Sequence, residues 1–82
     1  MAIVEANVIE KWSDLPIAEA EIYINGDFIT KTNSEGKFAL NIPVGSYELT
    51  IINGKYEKNT QTLKVLTNMR INIILTPIFQ ML

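Results

Sequence analysis

The stretch Thr32-Asn33-Ser34-Glu35-Gly36-Lys37-Phe38-Ala39-Leu40-Asn41-Ile42-Pro43-Val44-Gly45-Ser46-Tyr47 constrains the fold more than any other part of this chain. A polar turn ending in Gly36 leads into strict alternation. Phe38, Leu40 and Ile42 share one face, while Lys37, Ala39 and Asn41 share the other. Residues two apart lie on one side of an extended strand but not of a helix, so this pattern specifies a half-buried β-strand. Pro43-Val44-Gly45 breaks it, and Tyr47, Leu49 and Ile51 begin a second alternation. The stretch therefore predicts two strands, at about 37–42 and 46–52, joined by a tight connection.

The flanking segments repeat the same pattern. Ile3 to Ile9 reads as a first strand, with Val4, Ala6 and Val8 inward and Glu5 and Asn7 outward. Glu10-Lys11-Trp12-Ser13-Asp14 is a polar link bearing one large aromatic. Pro16, in Leu15-Pro16-Ile17, suits a sheet edge or the start of a strand. Glu19 to Ile24 alternates with Ala20, Ile22 and Ile24 inward and Glu19, Glu21 and Tyr23 outward. Asn25-Gly26 is a hairpin signal, because both residues tolerate positive φ. Phe28 to Thr32 reads as the returning strand. Asn53-Gly54 marks another turn, and Lys55 to Gln61 reads as a loop or weak edge strand anchored by Tyr56. Thr62 to Leu66 and Met69 to Thr76 complete the set, joined at Thr67-Asn68.

Helical periodicity is absent and turn signals recur about every ten residues, which predicts an all-β chain. The expected fold is a single antiparallel β-sandwich of about seven strands over residues 1–76, followed by an apolar tail over 77–82. At 82 residues with no Cys, the domain has no covalent staple and a small core. The net charge of −2, with signs interspersed, leaves no basic footprint and argues against nucleic acid as a partner. No apolar run is long enough to span a bilayer. The opening residues, Met1 to Glu5, lack a charged region followed by an apolar one, so no signal peptide is expected. The chain reads as whole and unsecreted, cytoplasmic or incorporated into a particle.

The ordered motifs resemble the carboxypeptidase regulatory-like domain family, of the transthyretin-like or prealbumin-like β-sandwich class with Ig-like topology. Pro16, Ile17, Ala20 and Ile22 match its first strand motif. Thr32, Asn33, Gly36 and Phe38 match its turn, and Ile42, Pro43, Gly45, Tyr47 and Leu49 match its third motif. Asn33 replaces the family's usual Asp, and Gly54-Lys55-Tyr56 carries one residue more than its Gly-Tyr turn. The resemblance implies a non-enzymatic domain of a kind usually appended to peptidases, transporters or surface proteins. A neighbouring class of adhesin sandwiches forms an internal Lys–Asn bond assisted by a buried acid. Ile51 occupies the acid's position here, so no such bond is expected.

The residues themselves assign five positions to structure. Gly36 and Gly45 are expected to hold φ values closed to other residues, with Phe38 and Pro43 shaping the strand and its break. Tyr47 is expected to place its hydroxyl on a nearby backbone group, in the manner of a tyrosine corner. Catalysis finds little material. Without His or Cys the commonest bases, nucleophile pairs and zinc sites are missing, and no glycine-rich phosphate loop is present. No enzyme activity and no cofactor are expected. A calcium site would need several converging oxygens, and the Asn33-Ser34-Glu35 cluster reads better as a polar turn.

Two features suggest contact with other molecules. Trp12, Tyr23 and Tyr56 fit no inward alternation firmly and are candidate carbohydrate-stacking residues. After Pro77 the chain places Ile78, Phe79, Met81 and Leu82 within six residues, which is unusual for a terminus. The tail either caps the sandwich or docks into a partner as an added strand or plug. Outward Ile52 and Ile74 add apolar surface. The expected function is a non-enzymatic structural or interaction protein. It would self-associate or dock onto a larger assembly, of which a virion or injection apparatus is one instance. A carbohydrate- or surface-binding module, or an accessory subunit of a separately encoded peptidase, are the alternatives.

Overall fold

A computed structural model describes residues 1–78 of the chain. Its seven strands are β1 (Ala2–Glu10), β2 (Glu21–Ile24), β3 (Asp27–Lys31), β4 (Lys37–Ile42), β5 (Gly45–Ile52), β6 (Asn59–Val65) and β7 (Met69–Leu75). They form two sheets, one ordered β4-β1-β7 and the other β3-β2-β5-β6. The inward residues of both sheets meet in one core, in which Val4, Val8, Ile22, Leu49, Ile51, Val65, Ile73 and Leu75 are fully buried. Burying each such side chain contributes roughly 1.5–3 kcal/mol. The molecule is therefore an all-β sandwich of seven strands, as the alternation specified.

One pairing departs from the antiparallel expectation. β1 and β7 run parallel, from Val4 beside Met69 to Glu10 beside Leu75. The cause is topological. Consecutive strands reverse direction, so the first and seventh point the same way, and here they are neighbours. Strand limits shift in two further places. Glu19 has a φ of 60°, and its amide donates to the carbonyl of Thr32, so β2 begins only at Glu21. β6 begins at Asn59, inside the segment expected as a loop or weak edge strand, and forms the edge of its sheet, where seven residues of β5 supply a continuous ladder from Gly45–Val65 to Ile51–Asn59.

The polar turn before β4 is built as its residues require. The Asn33 side-chain Oδ1 accepts from the amides of Glu35 and Lys37, both at 2.9 Å. Gly36 has a φ of 74°, and its carbonyl accepts from the amide of Val8 at 2.7 Å. A Cβ at Gly36 would lie 2.6 Å from the Val8 carbonyl oxygen and 3.0 Å from the Ile17 nitrogen. The glycine thus permits a close approach of three segments. At Gly45 no such approach occurs. A Cβ there would meet only ordinary contacts, the nearest the Tyr47 hydroxyl oxygen at 3.6 Å, and the demand for glycine comes from its φ of 159°, which residues bearing a Cβ rarely adopt. Tyr47 is half-buried, and its hydroxyl donates to the carbonyl of Pro43 at 2.6 Å. Phe38 is buried in the core.

Candidate functional site

The loops joining β1 to β2, β3 to β4 and β5 to β6 collect at the end of the sandwich where β7 finishes. Glu10, the last residue of β1, organises this end. Its Oε2 accepts the Tyr56 hydroxyl at 2.5 Å and its Oε1 accepts the Ser13 hydroxyl at 2.7 Å. These donors hold the Glu10 carboxyl below the usual carboxylate range, Tyr56 contributing most and Ser13 next. The same bond to Glu10 raises the Tyr56 phenol above its ordinary value. Backbone bonds fix the surrounding segments. Glu10 N donates to Leu15 O at 2.8 Å, Asp14 N to Glu10 O at 2.9 Å, and Lys11 N to Leu75 O at 2.9 Å.

On this frame stand large apolar side chains turned to solvent. Trp12, at φ 76°, is 69% exposed, Leu15 is 60% exposed and Ile78 is 52% exposed. Lys11 Nζ lies over the Trp12 ring, 5.0 Å from its centroid, a cation–π contact. The beginning of the tail is held by the β5–β6 loop. Glu57 N donates to Thr76 O at 2.8 Å and Ile78 N donates to Lys55 O at 3.0 Å, with Pro77 bridged to Tyr56. The backbone through Ile78 therefore lies against its own domain, while the Ile78 side chain points to water. Phe79, Met81 and Leu82, the other tail residues expected at a partner contact, lie outside the described residues.

The three candidate sugar-stacking aromatics do not form one platform. Trp12 and Tyr56 belong to the loop end. Tyr23 lies on the outer face of the four-stranded sheet, packed edge-to-face on Phe28 at 5.7 Å with its hydroxyl donating to Glu21 Oε1 at 2.8 Å. Glu10 and Leu15 were not singled out by the sequence. Glu10 lies in a charged link and its partner Tyr56 is 46 residues away, so no local pattern joins them. Thr32 matches the turn motif in sequence, but what it bonds to emerges only from the structure. It is buried, its hydroxyl donating to Ile17 O at 2.6 Å and accepting from Ala20 N at 2.9 Å, which ties the loop end to the core.

Among solved structures, the chain is similar to a DUF3823 family protein from Bacteroides ovatus, at 18% identity and a TM-score of 0.75. That match covers 94% of this chain and 44% of the other. It is likewise similar to a DUF3823 family protein from Parabacteroides merdae, at 21% identity and a TM-score of 0.69, covering 93% of this chain and 46% of the other. The likeness shows the fold, and this chain spans less than half the length of either protein. No family model matches the chain, and no curated protein matches it in sequence. Among the described residues no helix is long and apolar enough to cross a membrane.

Proposed function

We propose that the protein is a non-enzymatic interaction domain, resembling the carboxypeptidase regulatory-like class, that docks through its loop end. One observation carries this reading: Trp12, Leu15 and Ile78 are exposed on backbone that hydrogen bonds hold in place. A large apolar side chain held out in water on fixed backbone loses little further freedom on binding, and such anchors dominate the energetics of interfaces. A carboxylate engaged by a tyrosine and a serine hydroxyl is a brace rather than a poised acid, because its pKa is shifted away from neutrality.

The docking is with further copies of the chain or with a larger assembly, of which a virus particle or injection apparatus is one instance. The tail enters this reading because its first residues, Pro77 and Ile78, are held beside Tyr56 and Lys55 at the loop end. Light scattering on the full chain and on a version ending at Thr76 tests the reading. An oligomer that becomes a folded monomer on truncation supports it. Monomers in both cases, with truncation lowering only the melting temperature, would make the tail a cap and overturn docking through it.

A further inference from the structure

The outer face of the three-stranded sheet carries a feature that the loop end does not use. The outward residues of β1 are Ile3, Glu5 and Asn7. Strand register sets Ala39 and Arg70 on either side of Glu5, and Lys37 and Asn72 on either side of Asn7. Neighbouring strands lie about 4.8 Å apart and alternate residues about 6.7 Å apart, so these side chains form a regular grid. Ala39 is its lowest point, flanked along β4 by Lys37 and Asn41 and across the sheet by Glu5, with Arg70 one strand further on. A depression of about 440 Å³ opens there, lined by the polar side chains of Glu5, Asn7, Asn33, Lys37 and Arg70 together with Ala6, Phe38 and Ala39. A second, of about 320 Å³, continues past Arg70 to Ile3, Asn68 and Met69. The first lies within the range of about 300–1,000 Å³ usual for small-ligand sites.

The chemistry of the trough is mixed and close to neutral. Arg70 Nε lies 3.4 Å from Glu5 Oε2, and Lys37 Nζ lies 3.5 Å from Glu35 Oε2, so both cations have a counter-charge. Asn7 Nδ2 donates to Asn72 Oδ1 at 3.2 Å, leaving the Asn7 oxygen to accept and the Asn72 nitrogen to donate. Asn33 spends its oxygen on the turn amides, which leaves its Nδ2 as a donor. Donors and acceptors thus interleave across the face. An anion would meet the Glu5 carboxylate at the centre, and an apolar ligand would leave the carboxamides and charges without partners.

We propose that this trough binds a neutral oligosaccharide, whose hydroxyls each donate and accept and so match an interleaved array. The inference goes beyond the docking reading and does not depend on it. Its test is an NMR titration of the ¹⁵N-labelled protein with linear neutral gluco-, xylo-, manno- and N-acetylglucosamine oligosaccharides. Polygalacturonate oligomers serve as the anionic comparison. Shifts centred on Glu5, Asn7, Lys37, Ala39 and Arg70 are expected with at least one neutral series. Affinity should fall at least about tenfold in Ala39→Ile, which raises the floor, and in the Asn7→Val/Asn72→Val pair, which removes two carboxamides. Both changes place β-branched residues on strands, and an unchanged spectrum elsewhere verifies the fold. Absence of shifts with every neutral series overturns the proposal. So does tighter binding of the anionic oligomer, or binding centred on Trp12 that survives Ala39→Ile.

Discussion

Replacing Gly36 by Ala tests whether the approach of three segments at that point holds the loop end in place. Two costs add. The φ of 74° is a left-handed conformation, which costs a residue bearing a Cβ roughly 1–2 kcal/mol. The new Cβ would also lie 2.6 Å from the Val8 carbonyl oxygen, so the turn must move away from β1. That movement weakens the bonds from Val8 N to Gly36 O and from Ile17 N to Val8 O, each contributing about 1 kcal/mol. The expected loss is about 3–4 kcal/mol, against a total of roughly 4–12 kcal/mol for a domain of this size. A fall in melting temperature of about 12 °C or more follows. Gly26→Ala supplies the control. Its φ is 85°, but nothing lies within 4 Å of the position a Cβ would take, so only the conformational cost applies. That variant should lose roughly 1 kcal/mol. Urea unfolding followed by far-ultraviolet circular dichroism is the assay, because the exposed Trp12 would report unfolding poorly by fluorescence. Equal losses at the two glycines would refute the argument from close approach.

Other perturbations have definite expected outcomes. Thr32→Val keeps the shape but strips the hydroxyl from Ile17 O and Ala20 N, and should cost about 2–4 kcal/mol by urea unfolding. Tyr47→Phe should cost about 1 kcal/mol, since it removes only the bond to Pro43 O and keeps the ring. The Glu10 carboxyl is lowered in the folded state, so its contribution is present above the unfolded value and lost as pH falls through the folded one. The Tyr56 phenol is raised, so its contribution is present below its unfolded value and lost as pH rises through the folded one. Tyr56→Phe should therefore flatten both limbs of the stability–pH profile measured by thermal melts.

The strands that form the core were legible because their alternation is complete. Phe38-Leu40 and Leu49-Ile51 each put one face in the core, and Asn25-Gly26 takes the positive φ values of 50° and 85° that its hairpin needs. β6 was harder to read at its start. Asn59-Thr60-Gln61-Thr62 is polar on both faces, and its strand geometry comes from pairing with β5 rather than from its own pattern. The parallel contact of β1 with β7 joins the two ends of the chain, which no short window can report. The loop end was legible only in fragments. Trp12 and Ile78 stand out as apolar residues in polar or terminal settings. The brace from Glu10 to Tyr56, and the clamp of Thr76 to Ile78 on Lys55 and Glu57, depend on tertiary approach.

The docking surface is tested most directly by ¹⁵N–¹H spectra of the full chain across a dilution series. Self-association through the loop end predicts concentration-dependent shifts confined to the Trp12 indole and the amides of residues 11–15, 55–57, 76 and 78. Trp12→Ala should abolish them while leaving the remaining spectrum in place. Shifts clustered on another face, or the same shifts persisting in Trp12→Ala, would contradict the account.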